Sequence, residues 1–216
     1  MFIGHYAPAL ALAAHPKSPP AWSLFISAQL VDYLFFLFVF PGIETGLPDL
    51  TAPSALPFDL QAPLTHSLLG SAAIAVTWGI MFAFIAPADR RPQWAVLSAL
   101  AVISHWFLDW LVHRPDLPLA PGMEPLGLGL WYHPMIAWPL EIGLLALGTW
   151  YFTRAVPERT GRAWILFAIL VVSQIVSRTL LPPAESITAL APSALISYTV
   201  FAAIAAWALR RPSVPA

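Results

Sequence analysis

Six long apolar runs restrict most strongly how this chain can fold. Each is about 20 residues long, which is the length an α-helix needs to cross the hydrocarbon core of a bilayer. Their approximate limits are 22–40, 64–86, 93–113, 134–152, 162–181 and 189–209. The 216 residues are 59% hydrophobic and only 10% charged, whereas a soluble domain carries about 25% charged residues. We therefore predict an all-α, polytopic transmembrane helix bundle that forms a single domain over residues 1–216.

A shorter apolar segment, residues 2–14, precedes the six runs and contains His5 and Pro8. It would span roughly 20 Å as a helix. A secretory signal is the alternative interpretation, because the alanines at 9, 11 and 13 resemble a cleavage region. Such a signal needs a basic start, which is missing here. The sequence favours a retained short or half-spanning helix.

The connections between the runs alternate in charge, which predicts the topology. Eight of the ten basic residues fall on one side: Lys17, Arg90, Arg91, Arg154, Arg159, Arg162, Arg210 and Arg211. The other side holds Arg114 and six acidic residues: Glu44, Asp49, Asp59, Asp116, Glu124 and Glu185. By the positive-inside rule the basic side, with the carboxy terminus, is cytoplasmic. The long connections 41–63 and 114–133 are then predicted as outside loops folded over the membrane surface.

His105, Asp109 and His113 form a polar stripe on the third run. Their spacing of i, i+4 and i+8 places them on one face of a helix. Polar side chains in lipid are costly, so this face must meet other helices, a wet cavity or a metal. The chain has no cysteine, so His, Asp and Glu are its available metal ligands. A net charge of −1 gives no reason to expect nucleic acid as a partner.

Five polar residues from four segments are predicted to meet in the outer half of the bilayer. At 1.5 Å rise per residue, Asp32 lies about 15 Å from the cytoplasmic surface, His5 and His105 about 18 Å and Asp109 about 24 Å. His66 enters from the outside and is one turn deep. Imidazole and carboxylate are ligands of zinc, manganese and iron. We predict a divalent metal site at these five residues, with zinc as the first candidate and one or two ions.

Each of the five also has a simpler structural interpretation. His5 could make a hydrogen bond between helices, and His66 could be an interfacial residue in contact with water. Asp32 could be paired structurally, and His105 with Asp109 could form a structural salt link. The unfavourable transfer of a carboxylate into hydrocarbon makes Asp32 the hardest to explain in this way.

Other polar residues are assigned around this cluster. Arg178 lies at a depth similar to that of Asp109 and could pair with it or with Glu141, or bind an anionic phosphate. Glu141 could be the partner of Arg178, which we favour, or a general base. His113 is expected at the membrane edge as an anchor or a second-shell group, and His133, beside two aromatic residues, in the interfacial belt.

Four motifs around these residues resemble the YdjM-like family of inner-membrane proteins, described as metal-dependent hydrolases. They are Gly4-His5-Tyr6-Ala7, Gln29-Leu30-Val31-Asp32, Thr65-His66-Ser67-Leu68-Leu69 and Ser104-His105-x-x-x-Asp109. The segments 113–118 and 127–131 resemble an uncharacterised bacterial branch. The resemblance covers the chain to about residue 150. It implies a bacterial inner-membrane protein with a metal bound at His5, Asp32, His66, His105 and Asp109.

Three classes of function follow from the cluster. The leading hypothesis is an intramembrane metal-dependent hydrolase acting at the outer headgroup level on a lipid or polyprenyl phosphate or ester, with Asp109, Arg178 and Glu141 as the catalytic candidates. A transporter or channel for protons or metal ions could use the same residues, although no inverted repeat is evident. A structural protein could use them only to join helices. Membrane lipid is the expected partner.

The topology can be tested by cysteine labelling in intact cells and in inverted vesicles. Because Thr51 is predicted outside and Arg90 inside, cysteines placed at these positions should react with an impermeant maleimide from opposite sides. Labelling of both positions from the same side would contradict the topology and the depths derived from it.

Overall fold

The computed structural model describes residues 1–48, 56–182 and 184–210 as a bundle of helices. The helices are α1 (Tyr6–Ala13), α2 (Ala21–Ala28), α3 (Leu30–Val39), α4 (Leu68–Ile85), α5 (Arg91–Val112), α6 (Pro134–Ala155), α7 (Thr160–Thr179) and α8 (Ile187–Ala208). Among the described residues, five helices are long and apolar enough to cross a membrane, or six if α2 and α3 form one span. The predicted all-α, multi-pass bundle is therefore confirmed.

Large apolar side chains cover the outside of the bundle. Phe84 and Met135 are 80% and 88% exposed, and Ile85 is also well exposed. In water so much exposed apolar surface would promote association, whereas in a bilayer the same side chains face lipid tails. The exposed surface therefore agrees with the membrane location that the composition indicates.

The run 22–40, predicted as one continuous span, is broken in the middle. Helices α2 and α3 are bent by 52°, and Gln29 between them has φ −107° and ψ 8°, outside the helical range. Asp32 therefore lies in the first turn of a new helix, where the helix dipole favours negative charge. Irregular backbone at membrane depth is tolerated where protein or a cavity surrounds it. The break marks such a place.

The short helix α1 lies inside the bundle and not at its surface. Tyr6 and Leu10 are fully buried, and α1 packs against α2, α5 and α6. The contact with α6 is close, because a Cβ added to Gly148 would lie 2.6 Å from the carbonyl oxygen of Ala7. Small residues allow helix backbones to approach in this way. The packing of α1 fixes the 3-10 turn Ile3–His5 that leads into it.

Two short hairpins occupy the connections that were predicted as loops. Strands β1 (Thr45–Pro48) and β2 (Phe58–Gln61) pair antiparallel, as do β3 (Leu117–Pro118) and β4 (Pro125–Leu126). We call this end of the bundle the hairpin end. Asp49, Thr51 and Arg211, which entered the topology argument, lie outside the described residues.

Most predicted helix limits agree with the structure to within a few residues, but the start of α4 differs. The run 64–86 was predicted as helical throughout, whereas α4 begins at Leu68 after the N-cap Ser67, whose side chain accepts a hydrogen bond from the Gly70 amide. His66 therefore lies before the helix, with its amide donating to the Ala62 carbonyl at 3.0 Å. From this position the His66 side chain reaches Asp32, with Nε2 3.3 Å from Oδ1.

Two glycines of α6 provide a test of the α1 packing. Gly148→Ala should lower the free energy of unfolding by about 1–3 kcal/mol, because the methyl group overpacks the contact with α1. Gly143→Ala is the matched control, since a Cβ there meets nothing within 4 Å, and should be neutral or slightly stabilising. Thermal unfolding in detergent measures both. Equal effects of the two substitutions would contradict the packing.

Candidate metal centre

Asp109 lies at the centre of a group of buried imidazoles. It is 1% exposed on α5, and its Oδ2 lies 2.9 Å from Nε2 of His105, one turn earlier. Its Oδ1 lies 3.1 Å from Nε2 of His5 and 3.5 Å from Nε2 of His113. The amino group of Met1 also pairs with Oδ1. The predicted polar stripe of α5 thus turns inward, to the amino-terminal segment.

Asp32 provides the second carboxylate of the centre. Its Oδ1 lies 3.3 Å from Nε2 of His66 and 3.5 Å from Nε2 of His105. Its Oδ2 accepts a hydrogen bond from the Tyr198 hydroxyl of α8 at 2.9 Å. The side chain is 14% exposed, against 2% for Asp109. Asp32 therefore forms the accessible wall of the centre.

Hydrogen-bond partners at Nδ1 fix the orientation of the His105 and His113 rings. Nδ1 of His105 lies 2.8 Å from the Ala28 carbonyl, at the end of α2, and Nδ1 of His113 lies 2.9 Å from the Asp116 carboxylate. Both partners only accept, so each Nδ1 carries the hydrogen and each Nε2 presents a lone pair. The helix break at Gln29 leaves the Ala28 carbonyl available for this contact.

His66 is oriented by a relay that begins at Glu44. The buried Glu44 carboxylate accepts from the Thr65 hydroxyl at 2.6 Å and from the amides of Leu64 and Thr65 at 2.7 and 2.9 Å. Since the Thr65 hydroxyl donates its hydrogen to Glu44, it accepts from Nδ1 of His66, 2.9 Å away. Nε2 of His66 is again left with its lone pair towards the carboxylates.

His5 stands out because it has no such partner. It is 1% exposed, yet neither ring nitrogen makes a hydrogen bond. Its Nε2 is within 3.1 Å of Asp109, but the angles do not satisfy a hydrogen bond, and the same holds for Nε2 of His105. A buried polar nitrogen without a partner is unfavourable. The ring stacks on His105 with centroids 3.8 Å apart and planes 3° from parallel.

Lone pairs of imidazoles and carboxylate oxygens that face one another repel unless a proton or a metal ion lies between them. Two groups of ligand atoms lie within 4.8 Å of one another: His5, His105 and Asp109, and Asp32, His66 and His105. Distances of 2.9–3.5 Å between these atoms match ligands on one ion, which lie about 3.4 Å apart in a tetrahedron with bonds of roughly 2.0–2.1 Å. The centre could therefore hold a divalent metal, as predicted.

A cavity of about 830 Å³ opens from the centre towards the hairpin end. Asp32, His66, Asp109 and His113 form its polar wall. Much of the remaining lining is apolar and comes from α3, the first hairpin and α8, including Phe35, Phe36, Phe58, Leu60, Ile187 and Leu190. The cavity is large enough for a small ligand, since such sites usually measure about 300–1,000 Å³.

The structure separates the predicted roles of Arg178 and Glu141. Arg178 lines the cavity beside Ser177 and interacts electrostatically with Glu141 and Tyr198. Oε2 of Glu141 accepts from the amides of Phe2 and Gly4, at 2.8 and 3.4 Å. Glu141 is not among the described residues that line the cavity. This arrangement favours Glu141 as the partner of Arg178 and as an anchor of the turn that carries His5.

Five residues of the centre were missed or underrated from sequence. His113, expected at the membrane edge, is 2% exposed, and Glu44, Thr65 and Asp116 hold imidazoles from the outside. Tyr198 comes from the last helix. The i+8 spacing of His113 was the one available signal. His133 is exposed, and its place in the interfacial belt stays a prediction.

Comparisons of the chain with protein-family models, with curated proteins and with solved structures gave no match. The resemblance to the YdjM-like family therefore stays a prediction, and the chemistry of the centre must be argued from its geometry.

The relay to His66 gives a prediction for metal affinity. Thr65→Val keeps the shape of the side chain but removes the hydroxyl, so the ring loses its orientation and the affinity for Zn²⁺ should fall about 10–100-fold. Thr65→Ser keeps the hydroxyl and should bind nearly as the wild type does. Competition with a chromophoric chelator measures both. Wild-type affinity in Thr65→Val would show that the relay does not support a metal ligand.

Proposed function

We propose that this protein is a membrane-embedded metal-dependent hydrolase that acts at headgroup level on a lipid or polyprenyl phosphate. The observation that carries the proposal is the junction of the imidazole–carboxylate centre with the cavity. Asp32, His66, Asp109 and His113 all line its wall. A purely structural cluster has no need to line a cavity with its charged groups.

The residues of the centre are suited to a divalent ion, with zinc as the first candidate and manganese or iron as alternatives. Such an ion supplies Lewis acidity, which activates water and stabilises negative charge on a phosphoryl or acyl oxygen. His66 and His105 are held by second partners and can bind without rearrangement. Asp109 is buried between the imidazoles, so Nε2 of His5 and Nε2 of His105 both face its carboxylate.

The cavity supports an amphiphilic substrate. Its apolar wall of Phe35, Phe58 and Ile187 suits a hydrocarbon chain, whereas Arg178 and Ser177 provide a positive and polar edge. Arg178 interacts with Glu141 and Tyr198, and an anionic phosphate would be a further partner of this arginine. The substrate would lie with its phosphate between Arg178 and Asp32 and its chain along α3 and α8.

In the reaction, water adds to phosphorus and the bond between phosphorus and the lipid oxygen breaks. The proton from water goes to the leaving oxygen, so the products are the lipid alcohol and inorganic phosphate. Arg178 orients the phosphate and offsets its charge. The apolar wall of the cavity limits the access of bulk water to the remainder of the substrate.

The interior of the bundle away from the hairpin end favours hydrolysis over transport. Buried apolar side chains, among them Leu10, Phe152, Leu166 and Leu209, fill this half of the core. A path for ions needs polar groups or water across the whole membrane. The cluster instead lies beside the hairpins. We propose that this end faces the outside of a bacterial inner membrane, with the carboxy terminus in the cytoplasm, because most of the described basic residues lie at the opposite end.

Hydrolysis can be tested with purified, zinc-loaded protein in mixed micelles. The protein should release inorganic phosphate from a polyprenyl phosphate faster than from soluble p-nitrophenyl phosphate. Arg178→Gln should raise KM for the lipid about 10-fold or more while the metal content stays intact, because it removes a charge-assisted contact to the phosphate.

The matched control is Arg162→Gln, at the opposite end of the same helix, where the exposed arginine lies over the Trp207 ring. This variant should keep the wild-type KM. If Arg178→Gln lowers thermal stability and leaves KM unchanged, Arg178 is a structural partner of Glu141 and the phosphate-binding role is wrong. Absence of phosphate release by the metal-loaded wild type would contradict the hydrolase.

A further inference from the structure

We propose that the centre holds two divalent ions bridged by the Asp109 carboxylate, and that His113 is a ligand of the second ion. The inference rests on the proposed metal-dependent function and assigns the number of ions and a role for His113. The first ion site comprises His66, His105, Asp32 and Oδ2 of Asp109. The second comprises His5, His113 and Oδ1 of Asp109.

The two oxygens of Asp109 have different neighbours. Oδ2 lies 2.9 Å from Nε2 of His105 and 3.9 Å from Nε2 of His66. Oδ1 lies 3.1 Å from Nε2 of His5 and 3.5 Å from Nε2 of His113. The recorded contacts of His5 and His113 are thus with Oδ1, and those of His105 and His66 are with Oδ2. A carboxylate with separate ligands on each oxygen is the arrangement of a bridge between two ions.

The stacking of His5 on His105 argues that these rings bind different ions. A histidine binds metal through a lone pair in the plane of its ring. The two rings are within 3° of parallel at a centroid distance of 3.8 Å, so their lone pairs do not converge. An ion that lies in the plane of one ring therefore lies nearly the stacking distance above the plane of the other ring. This displacement exceeds a Zn–N bond of roughly 2.0–2.1 Å, so the ion cannot bind the second ring as well. The same spacing matches the separation of ions in two-metal hydrolases, about 3.5–4 Å.

His113 is held like a metal ligand. Its Nδ1 pairs with the Asp116 carboxylate at 2.9 Å, and the other oxygen of Asp116 accepts from the Leu60 amide of β2 at 3.3 Å. A carboxylate behind a ligating imidazole fixes the ring and raises its basicity. The Trp131 ring covers the imidazole, with centroids 4.2 Å apart. The contacts with Asp116 and Trp131 therefore leave Nε2 of His113 directed at Asp109.

Charge supports the same conclusion. Asp109 and Asp32 bring two negative charges, one on a fully buried and one on a largely buried side chain, and buried charges need compensation. The Met1 amino group pairs with Oδ1 of Asp109, at the place proposed for the second ion. An amine at this place competes with the second ion. The protein should hold one ion if the amine stays there and two ions if the second ion replaces it.

Metal analysis of protein purified without chelator and saturated with Zn²⁺ or Mn²⁺ tests the inference. The wild type should contain about two equivalents per chain. His113→Gln should retain about one equivalent, because the first site keeps its four ligands. His133→Ala, which changes an exposed histidine, should retain two. Elution as one species in gel filtration shows that each variant is folded.

Electron paramagnetic resonance of the Mn²⁺-loaded wild type provides a measurement that needs no variant. Two bridged ions should give an exchange-coupled spectrum, and His113→Gln should give the hyperfine pattern of an isolated ion. One equivalent in the wild type with an uncoupled spectrum would overturn the second site and leave the proposed function intact. Absence of bound metal under saturating conditions would overturn both.

Discussion

The buried carboxylate of Asp109 is the constraint on which the arrangement of this bundle depends. An ionised carboxylate in a medium without water is strongly unfavourable unless it is paired and hydrogen-bonded. Two elements bring it imidazole partners: the amino-terminal turn with His5, and α5 with His105 and, at its end, His113. The segment 2–14, too short to span the membrane, is therefore buried in the bundle, where Glu141 and α6 hold it.

Two irregular parts of the fold serve this centre, the break at Gln29 and the connection before α4. The break at Gln29 places Asp32 at a helix start and releases the Ala28 carbonyl to His105. The connection before α4 keeps His66 out of the helix. The indole N–H of Trp106 on α5 donates a hydrogen bond to the His66 carbonyl at 3.0 Å. Backbone irregularity inside a membrane is unfavourable unless neighbouring groups satisfy it. Both of these irregular segments carry or orient residues of the cluster, as a ligand site requires.

The sequence predicted the spans and the convergence of His5, Asp32, His66, His105 and Asp109, because run length and helical rise determine depth directly. It did not predict the groups that orient them. From sequence, Glu44 and Asp116 were only outside charges. Nothing in the residues around them shows that they contact Thr65 and His113 and so orient the imidazoles. Tyr198 reaches Asp32 from the opposite end of the sequence. Contacts of this kind depend on tertiary packing, which periodicity does not contain. The metal, the substrate and the reaction follow from chemistry argued on these contacts and remain proposals.

An experimental structure with anomalous diffraction tests the central claim, that a metal joins the imidazoles and carboxylates around Asp109. Crystals of protein purified without chelator should be measured above and below the zinc absorption edge. The account predicts an anomalous peak about 2.0–2.2 Å from a carboxylate oxygen of Asp109 and from Nε2 of at least one facing imidazole. Well-ordered side chains that hydrogen-bond directly to one another, with no peak at any metal edge, would contradict it.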